Sequence, residues 1–362
     1  MCTHGHGGDG EFREAQHEHA LTRRKLLADS ARAAAAGAFA AAFAPPAIAH
    51  AAARPVATGA AGRTQLYLLG AQGGQSRATL TGSDIHAGPS VLLVVDGAGY
   101  LMDAGAGALL RLGQAGFDPT MIRHVFMTHH HQDHNADLGN IIGFGWTTGP
   151  QAHPGQRLDV WGPPGTLAYR RGYEHATAIS IHDNEVNLGK TPSFRSYLRC
   201  HEFPITGAIR SRPVTVMRNS AVTVSAIRVN HGQVPTVAYR FKTPDLDVVF
   251  SGDRGDLGDR FVALAKGADV LFHEIIDIDV VVSTLKAQKA PAGYIRHMQQ
   301  DHSAPAFVGR TATAAKAPKL VLYHLVPANP QITDPDWTSL VSPHYAGEIV
   351  VGQDLLEVQG QS

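Results

Sequence analysis

Residues 128–134 read Thr-His-His-His-Gln-Asp-His and follow directly on the apolar run Ile122–Met127. Histidine is polar and aspartate is rarely buried unpaired, so this cluster cannot simply continue a core strand. The pattern recurs. Val222–Val229 ends in Asn230-His231, Val248–Phe250 in Ser251-Gly252-Asp253, Val270–Phe272 in His273-Glu274, and Leu320–Tyr323 in His324. Each strand buries its body and offers a polar tip, and the expectation is that these tips gather at one sheet edge.

In extended backbone, side chains at i and i+2 point the same way. His129 and His131 can therefore chelate one ion while His130 points elsewhere. Asp133 and His134 sit on the next turn and can face a second ion. His231 adds a third imidazole to the first site, His324 completes the second, and Asp253 bridges them. Imidazole with carboxylate suits zinc, with manganese or iron as alternatives. Structural zinc sites are usually closed by four ligands, often thiolates, whereas this chain has only Cys2 and Cys200, neither in a metal motif. The set therefore reads as two catalytic divalent metal ions. A metal-dependent binding protein without catalysis is the alternative from another class.

Lys+Arg and Asp+Glu both number 31, so no bulk charge argues for a nucleic-acid or acidic-membrane partner. Residues 22–27 read TRRKLL, and the Ala-rich run Ala33–Ala44 leads to Ala47-Ile48-Ala49. This resembles a twin-arginine signal with Arg23-Arg24 as the pair. Residues 1–49 are accordingly expected to be a signal peptide read by the twin-arginine export machinery, and 50–62 a linker. The protein would be periplasmic or secreted, with no membrane span in the mature chain.

Strands are expected at 63–70, 90–95, 100–102, 158–161 and 237–241, besides those above, and helices at 108–115, 135–144 and, capped by Ser303, 303–317. GAQGG (70–74) reads as a glycine-rich strand exit, since no phosphate-loop motif completes it. Segments 166–213, with Arg170, Arg171, Lys190, Arg195 and several tyrosines, and 275–300 read as inserts, the first as a solvated surface. A catalytic domain over 63–360 contains both.

The stretches LYLLGAQGG, YLMDAGAG, VFMTHHHQDHNADLGN, VWGPPGT, VNHG, VFSGD, FHE and DHSAPAFVGRTATAAKAPKLVLYHLVP resemble the metallo-β-lactamase superfamily, in its ribonuclease Z-like and arylsulfatase-like branch. The likeness runs from about Leu66 to Pro327. It implies an α/β fold, the αββα metallo-β-lactamase sandwich of two facing mixed β-sheets flanked by helices. It implies the metal ligands His129, His131, Asp133, His134, His231, Asp253 and His324. It further implies catalytic roles for Asp133, which orients or deprotonates the attacking water, and His302, which assists the leaving oxygen. Glu274 is the candidate to orient His302.

Such machinery hydrolyses esters. A ribonuclease Z-like enzyme often carries an RNA-gripping arm between the third metal histidine and the bridging aspartate, but here only 21 residues separate His231 from Asp253. With export and neutral charge, the expected substrate is a small-molecule ester, an aryl sulfate or phosphodiester, and nucleic acid is not the expected partner. The alternatives are a ribonuclease Z-like 3′-tRNA processing endonuclease and a lactonase or carboxylesterase. A homodimer is left open.

Overall fold

A computed structural model describes residues 64–74, 86–190, 192–255, 259–329 and 331–360. The expected signal peptide and linker lie outside the described residues. Two seven-stranded sheets form the centre. The strands are β1 (Gln65–Gly70), β2 (Ser90–Val95), β3 (Ala98–Met102), β4 (Ile122–Phe126), β5 (Leu158–Gly162), β6 (Leu198–Glu202), β7 (Val214–Arg218), β8 (Thr223–Val229), β9 (Thr236–Lys242), β10 (Asp247–Phe250), β11 (Val270–Ile276), β12 (Lys319–Val326), β13 (Glu348–Val351) and β14 (Leu356–Glu357). The first sheet runs β14-β1-β2-β3-β4-β5-β6 and the second β13-β12-β11-β10-β9-β8-β7.

Alternation of side chains along each strand builds the layers. Val91, Leu93, Phe126, Phe272, Val321 and Tyr323 enter one core that joins the two sheets. Their sequence neighbours Leu92, Val125 and Met127 pack outward with the helices Ala108–Gln114 and Leu138–Ala152. Leu271, Leu320 and Leu322 pack outward from the second sheet with the helices Asp259–Ala265, Pro305–Ala315 and Asp334–Val341. The result is the expected αββα sandwich. Among the described residues no helix is long and apolar enough to cross a membrane.

Strand direction explains why the polar tips meet. β3, β4, β5 and β6 run parallel in the first sheet, and β10, β11 and β12 in the second. β8 and β10 each pair antiparallel with β9, so they too share a direction. A bond from the Val237 N–H to the Thr128 carbonyl, 3.0 Å, ties the second sheet to the end of β4. The tips therefore come from two sheets, β4 from one and β8, β10 and β12 from the other. This corrects the expectation of one sheet edge.

Three further expectations change. Residues 166–213 are not all solvated surface: Phe194, Tyr197 and Leu198 are fully buried and β6 is an integral edge strand. Residues 275–300 finish β11 and then form a helical pair, Ile278–Ala287 and Ala292–Gln300, seated on Ile276, Val281, Leu285 and Met298. The last long helix is capped by Ala304 with Pro305 at its first turn, while Ser303 Oγ instead donates to the Arg254 carbonyl at 2.6 Å.

Candidate metal centre

The loop after β4 is fixed by a residue from β3. Asp103, in left-handed backbone (φ 53), accepts from Thr128 N–H at 2.7 Å and from Thr128 Oγ1 at 2.8 Å. That anchors His129, which is fully buried with Nδ1 3.0 Å from Thr128 Oγ1. His130 turns away, as the i, i+2 argument requires, and its Nε2 lies 2.9 Å from Thr166 Oγ1. His131 caps a short helix, Gln132–Asn135, that carries Asp133 and His134, two residues expected on a turn before a helix from 135.

The second sheet supplies the rest. His231 follows β8 and donates from Nδ1 to the Asp301 carbonyl at 2.7 Å. Asp253 follows β10 through Gly252 (φ 58), where a Cβ would lie 2.9 Å from the Val237 carbonyl. His324 does not follow a strand end but interrupts β12. Tyr323 pairs with Glu274 and Leu325 with Ile275, so His324 is an extra residue, a bulge in left-handed backbone (φ 51). Bulges re-aim side chains in this way.

Two donor clusters result, sharing Asp253. In the first, ligand atoms of His129, His131, His231 and Asp253 lie within 4.8 Å of one another, and in the second those of Asp133, His134, Asp253 and His324 do. His131 Nδ1 is 3.0 Å from His129 Nε2 and 3.1 Å from His231 Nε2. Asp253 lies 3.2 Å from both His134 Nε2 and His324 Nε2. Asp133 Oδ2 lies 3.3 Å from His324 Nε2.

These residues fit divalent cations on their own chemistry. His134 Nδ1 donates to Asp103 Oδ2 at 2.8 Å, which in the neutral, ligating ring leaves a lone pair on Nε2. That lone pair faces Asp253 Oδ1, and both atoms are buried without a hydrogen bond. Two electron-rich atoms opposed in a dry site call for a cation between them. Burial also drives His129 well below the usual imidazole range and His231 down to about 3, so both are neutral, ligand-ready bases. At His134 burial opposes charge, but Asp253, Asp133 and Asp103 outweigh it and raise the group well above its ordinary value, so without a cation Nε2 holds a second proton, the one a bound cation would displace. The surplus negative charge is the feature a cation would neutralise.

Beside the clusters, His302 Nδ1 lies 2.9 Å from Glu274 Oε2, the contact the sequence suggested. Burial opposes its charged form, but the Glu274 carboxylate prevails and lifts it to about 9. Glu274 is itself held by the Arg254 N–H at 2.6 Å.

Four residues escaped the sequence reading. Asp103 ends β3 as the other polar tips end their strands, so the same rule would have found it. Gly73 belongs to GAQGG: a Cβ there would overlap the His324 ring, and the next N–H, of Gly74, donates to Asp133 Oδ2 at 2.9 Å. That stretch is a close-packing element against the second cluster. His297 and Asp301 come from the helical pair after β11 and had no local signal.

Residues 99–325 match the Beta-lactamase superfamily domain. The chain is 30% identical over 288 residues to the ribonuclease Z of Mycobacterium bovis (strain BCG / Pasteur 1173P2), covering 77% of this chain and 95% of that protein. The structure resembles human tRNase Z, short form (TM-score 0.58, 19% identity, 82% of this chain and 100% of that one). It also resembles the metallo-beta-lactamase fold protein YhfI from Bacillus subtilis (TM-score 0.57, 19% identity, 82% and 99%). By sequence match, fold and donor clusters alike, the chain belongs to the metallo-β-lactamase superfamily of hydrolases and is ribonuclease Z-like.

Proposed function

We propose that this protein is a two-cation phosphodiesterase acting on RNA. The observation that carries the reading is the pair of donor clusters sharing Asp253 beside a carboxylate-held His302. Relatives named ribonuclease Z support it and favour RNA over the small ester expected from sequence. His129, His131, His231 and Asp253 would hold one cation, and Asp133, His134, Asp253 and His324 the other, zinc first given the imidazole-rich set. Bound there, the cations supply Lewis acidity and lower the pKa of a water. Asp133, steadied by the Gly74 N–H, orients that water or takes its proton. His302, with Nδ1 committed to Glu274, presents its other nitrogen to the leaving oxygen.

A second reading keeps a small-molecule ester, an aryl sulfate, a small phosphodiester or a carboxyl ester. It is favoured by residues 232–252, which are taken up by β9, β10 and their turns and leave no length for an arm. Export of the chain through Arg23-Arg24 to the periplasm or beyond, itself part of this proposal, weighs the same way. Among the cations of the 166–213 segment, Arg170 pairs with Glu174 at 2.9 Å and Lys190 donates to the Thr147 carbonyl, so neither is a free phosphate contact.

The test is parallel turnover by metal-loaded protein of a tRNA precursor, bis-p-nitrophenyl phosphate, p-nitrophenyl sulfate and a lactone, with Asp253→Ala as control. RNA cleavage abolished in the control supports the first reading. Turnover of the sulfate or lactone alone overturns it. Fractionation of cells carrying Arg23→Lys with Arg24→Lys checks export, which predicts accumulation of the variant in the cytoplasm.

A further inference from the structure

The helical pair after β11 brings one imidazole to the mouth of the site. His297 lies in the last turn of Ala292–Gln300, with its side chain 30% exposed. Its ring centroid is 5.1 Å from that of His231 and 5.4 Å from that of His302, and the three offer nitrogens within 4.8 Å of one another. Its Nδ1 is 2.8 Å from Asp301 Oδ2. Asp301 is fixed in turn: its N–H bonds the His297 carbonyl at 2.9 Å, and its own carbonyl takes the His231 N–H. Gly232 admits its carboxylate, since a Cβ there would stand 2.7 Å from Oδ2.

A carboxylate only accepts, so Asp301 selects the His297 tautomer with its proton on Nδ1 and its lone pair on Nε2. An exposed acceptor repels the anionic oxygens of a phosphate ester and suits a hydroxyl. We propose that His297, positioned by Asp301, accepts a hydrogen bond from a substrate hydroxyl next to the scissile ester. This rests on the RNA reading above, where that hydroxyl is the ribose 2′-OH, the group that separates RNA from DNA. His297 is thus a specificity-determining residue and Asp301 a positioning one.

The experiment compares binding of a fluorescein-labelled single-stranded RNA and its deoxy counterpart by anisotropy on chelated full-length protein, which cannot turn the RNA over, with zinc uptake measured separately. The wild type should favour RNA by about tenfold, the worth of one part-exposed hydrogen bond. His297→Ala should erase the preference by weakening RNA alone. His297→Gln, whose amide oxygen also accepts, should keep part of it, and Asp301→Asn should lower it. Bound zinc per chain should be unchanged in all three. A wild type blind to the sugar, a variant that weakens both ligands equally, or loss of a zinc equivalent in His297→Ala would each overturn the inference. Failure of turnover on every ester would count against the RNA reading, and the anisotropy result would still decide the role of His297.

Discussion

Asp103→Asn isolates one electrostatic device from the fold. Asp103 is 1% exposed and sits at φ 53, a backbone that asparagine tolerates as well as aspartate does. Its Oδ1 accepts from the Thr128 N–H, so the amide oxygen of the variant must take that place. The amide NH2 then faces the Thr128 hydroxyl, which can rotate to accept, and His134 Nδ1–H, which cannot. The least unfavourable response is for His134 to give up its Nδ1 proton and keep the one on Nε2. That N–H points at Asp253 Oδ1, 3.2 Å away, and the second cluster has lost a lone pair. Cation binding must then restore the original tautomer against an unmade charge-assisted hydrogen bond, about 1.5–3 kcal/mol. This is roughly a tenfold to hundredfold loss of affinity, the range usual for an outer-sphere partner of a ligating histidine. The assay is zinc titration against a chromophoric chelator. Two equivalents are expected in the wild type, and in the variant one at unchanged affinity and one weakened. Chelated wild type and variant should unfold within about 1 kcal/mol of each other, because the Nε2–H keeps Asp253 in both. Two unweakened equivalents, or weakening of the first cluster instead, would refute the claim that Asp103 sets the His134 tautomer.

Gly73→Ala places a methyl against the His324 ring and should likewise weaken only one zinc equivalent in the same titration, with the fold retained by circular dichroism. Burial pushes the Cys200 thiol up to about 11, so at pH 8 it should react with iodoacetamide far more slowly than glutathione, gaining rate in urea as the chain unfolds. His273 is driven down to about 3, first by burial and then by the Arg254 guanidinium. Its unfolded value is about 6.5, so between these limits the unfolded chain binds a proton that the folded chain refuses. This stabilising contribution is complete above pH 6.5 and is lost as pH falls, by up to about 1.4 kcal/mol per unit. Urea midpoints of chelated protein from pH 6.5 to 4 should therefore fall less steeply in His273→Gln than in the wild type. Parallel slopes would contradict the assignment.

The individual strands and a site at their ends were legible because strand alternation and polar tips are local properties, whereas the pairing of two sheets came only with the family resemblance. Val91, Leu93 and Leu92 already announce two apolar faces, and Thr128–His134 announces a site at a strand end. What stayed hidden is non-local. His324 read as the residue after a strand, but its aim depends on a register shift against β11 that no window of β12 contains. His297 fell in the insert 275–300, which carried no readable pattern, and only the placement of its helix on Ile276 and Val281 brings it beside His231. Ser303 preceded a helix and so read as its cap, while tertiary contact gave its hydroxyl to the Arg254 carbonyl. The neutral net charge, read against a nucleic-acid partner, reports the whole chain and not the surface around the clusters.

The two residues that depart furthest from ordinary backbone at the centre, Asp103 (φ 53) and His324 (φ 51), lie on opposite sheets and act on the same cation cluster. Left-handed backbone at a non-glycine position costs on the order of 1–2 kcal/mol, and it persists only where neighbours dictate it. Here they do. The Asp103 N–H bonds the Phe126 carbonyl at 2.9 Å, and the Leu325 N–H bonds the Ala71 carbonyl at 3.0 Å just past the bulge. Glycine at either position would relax the backbone yet delete the group that the conformation exists to aim. One aims the His324 imidazole directly, and the other sets the carboxylate that orients His134, so both feed the same dry gap between sheets. The strain is therefore a consequence of building a second cluster across the sandwich, and the first cluster, delivered by unstrained strand ends at His129 and His231, should be the one that fills first as cation concentration rises.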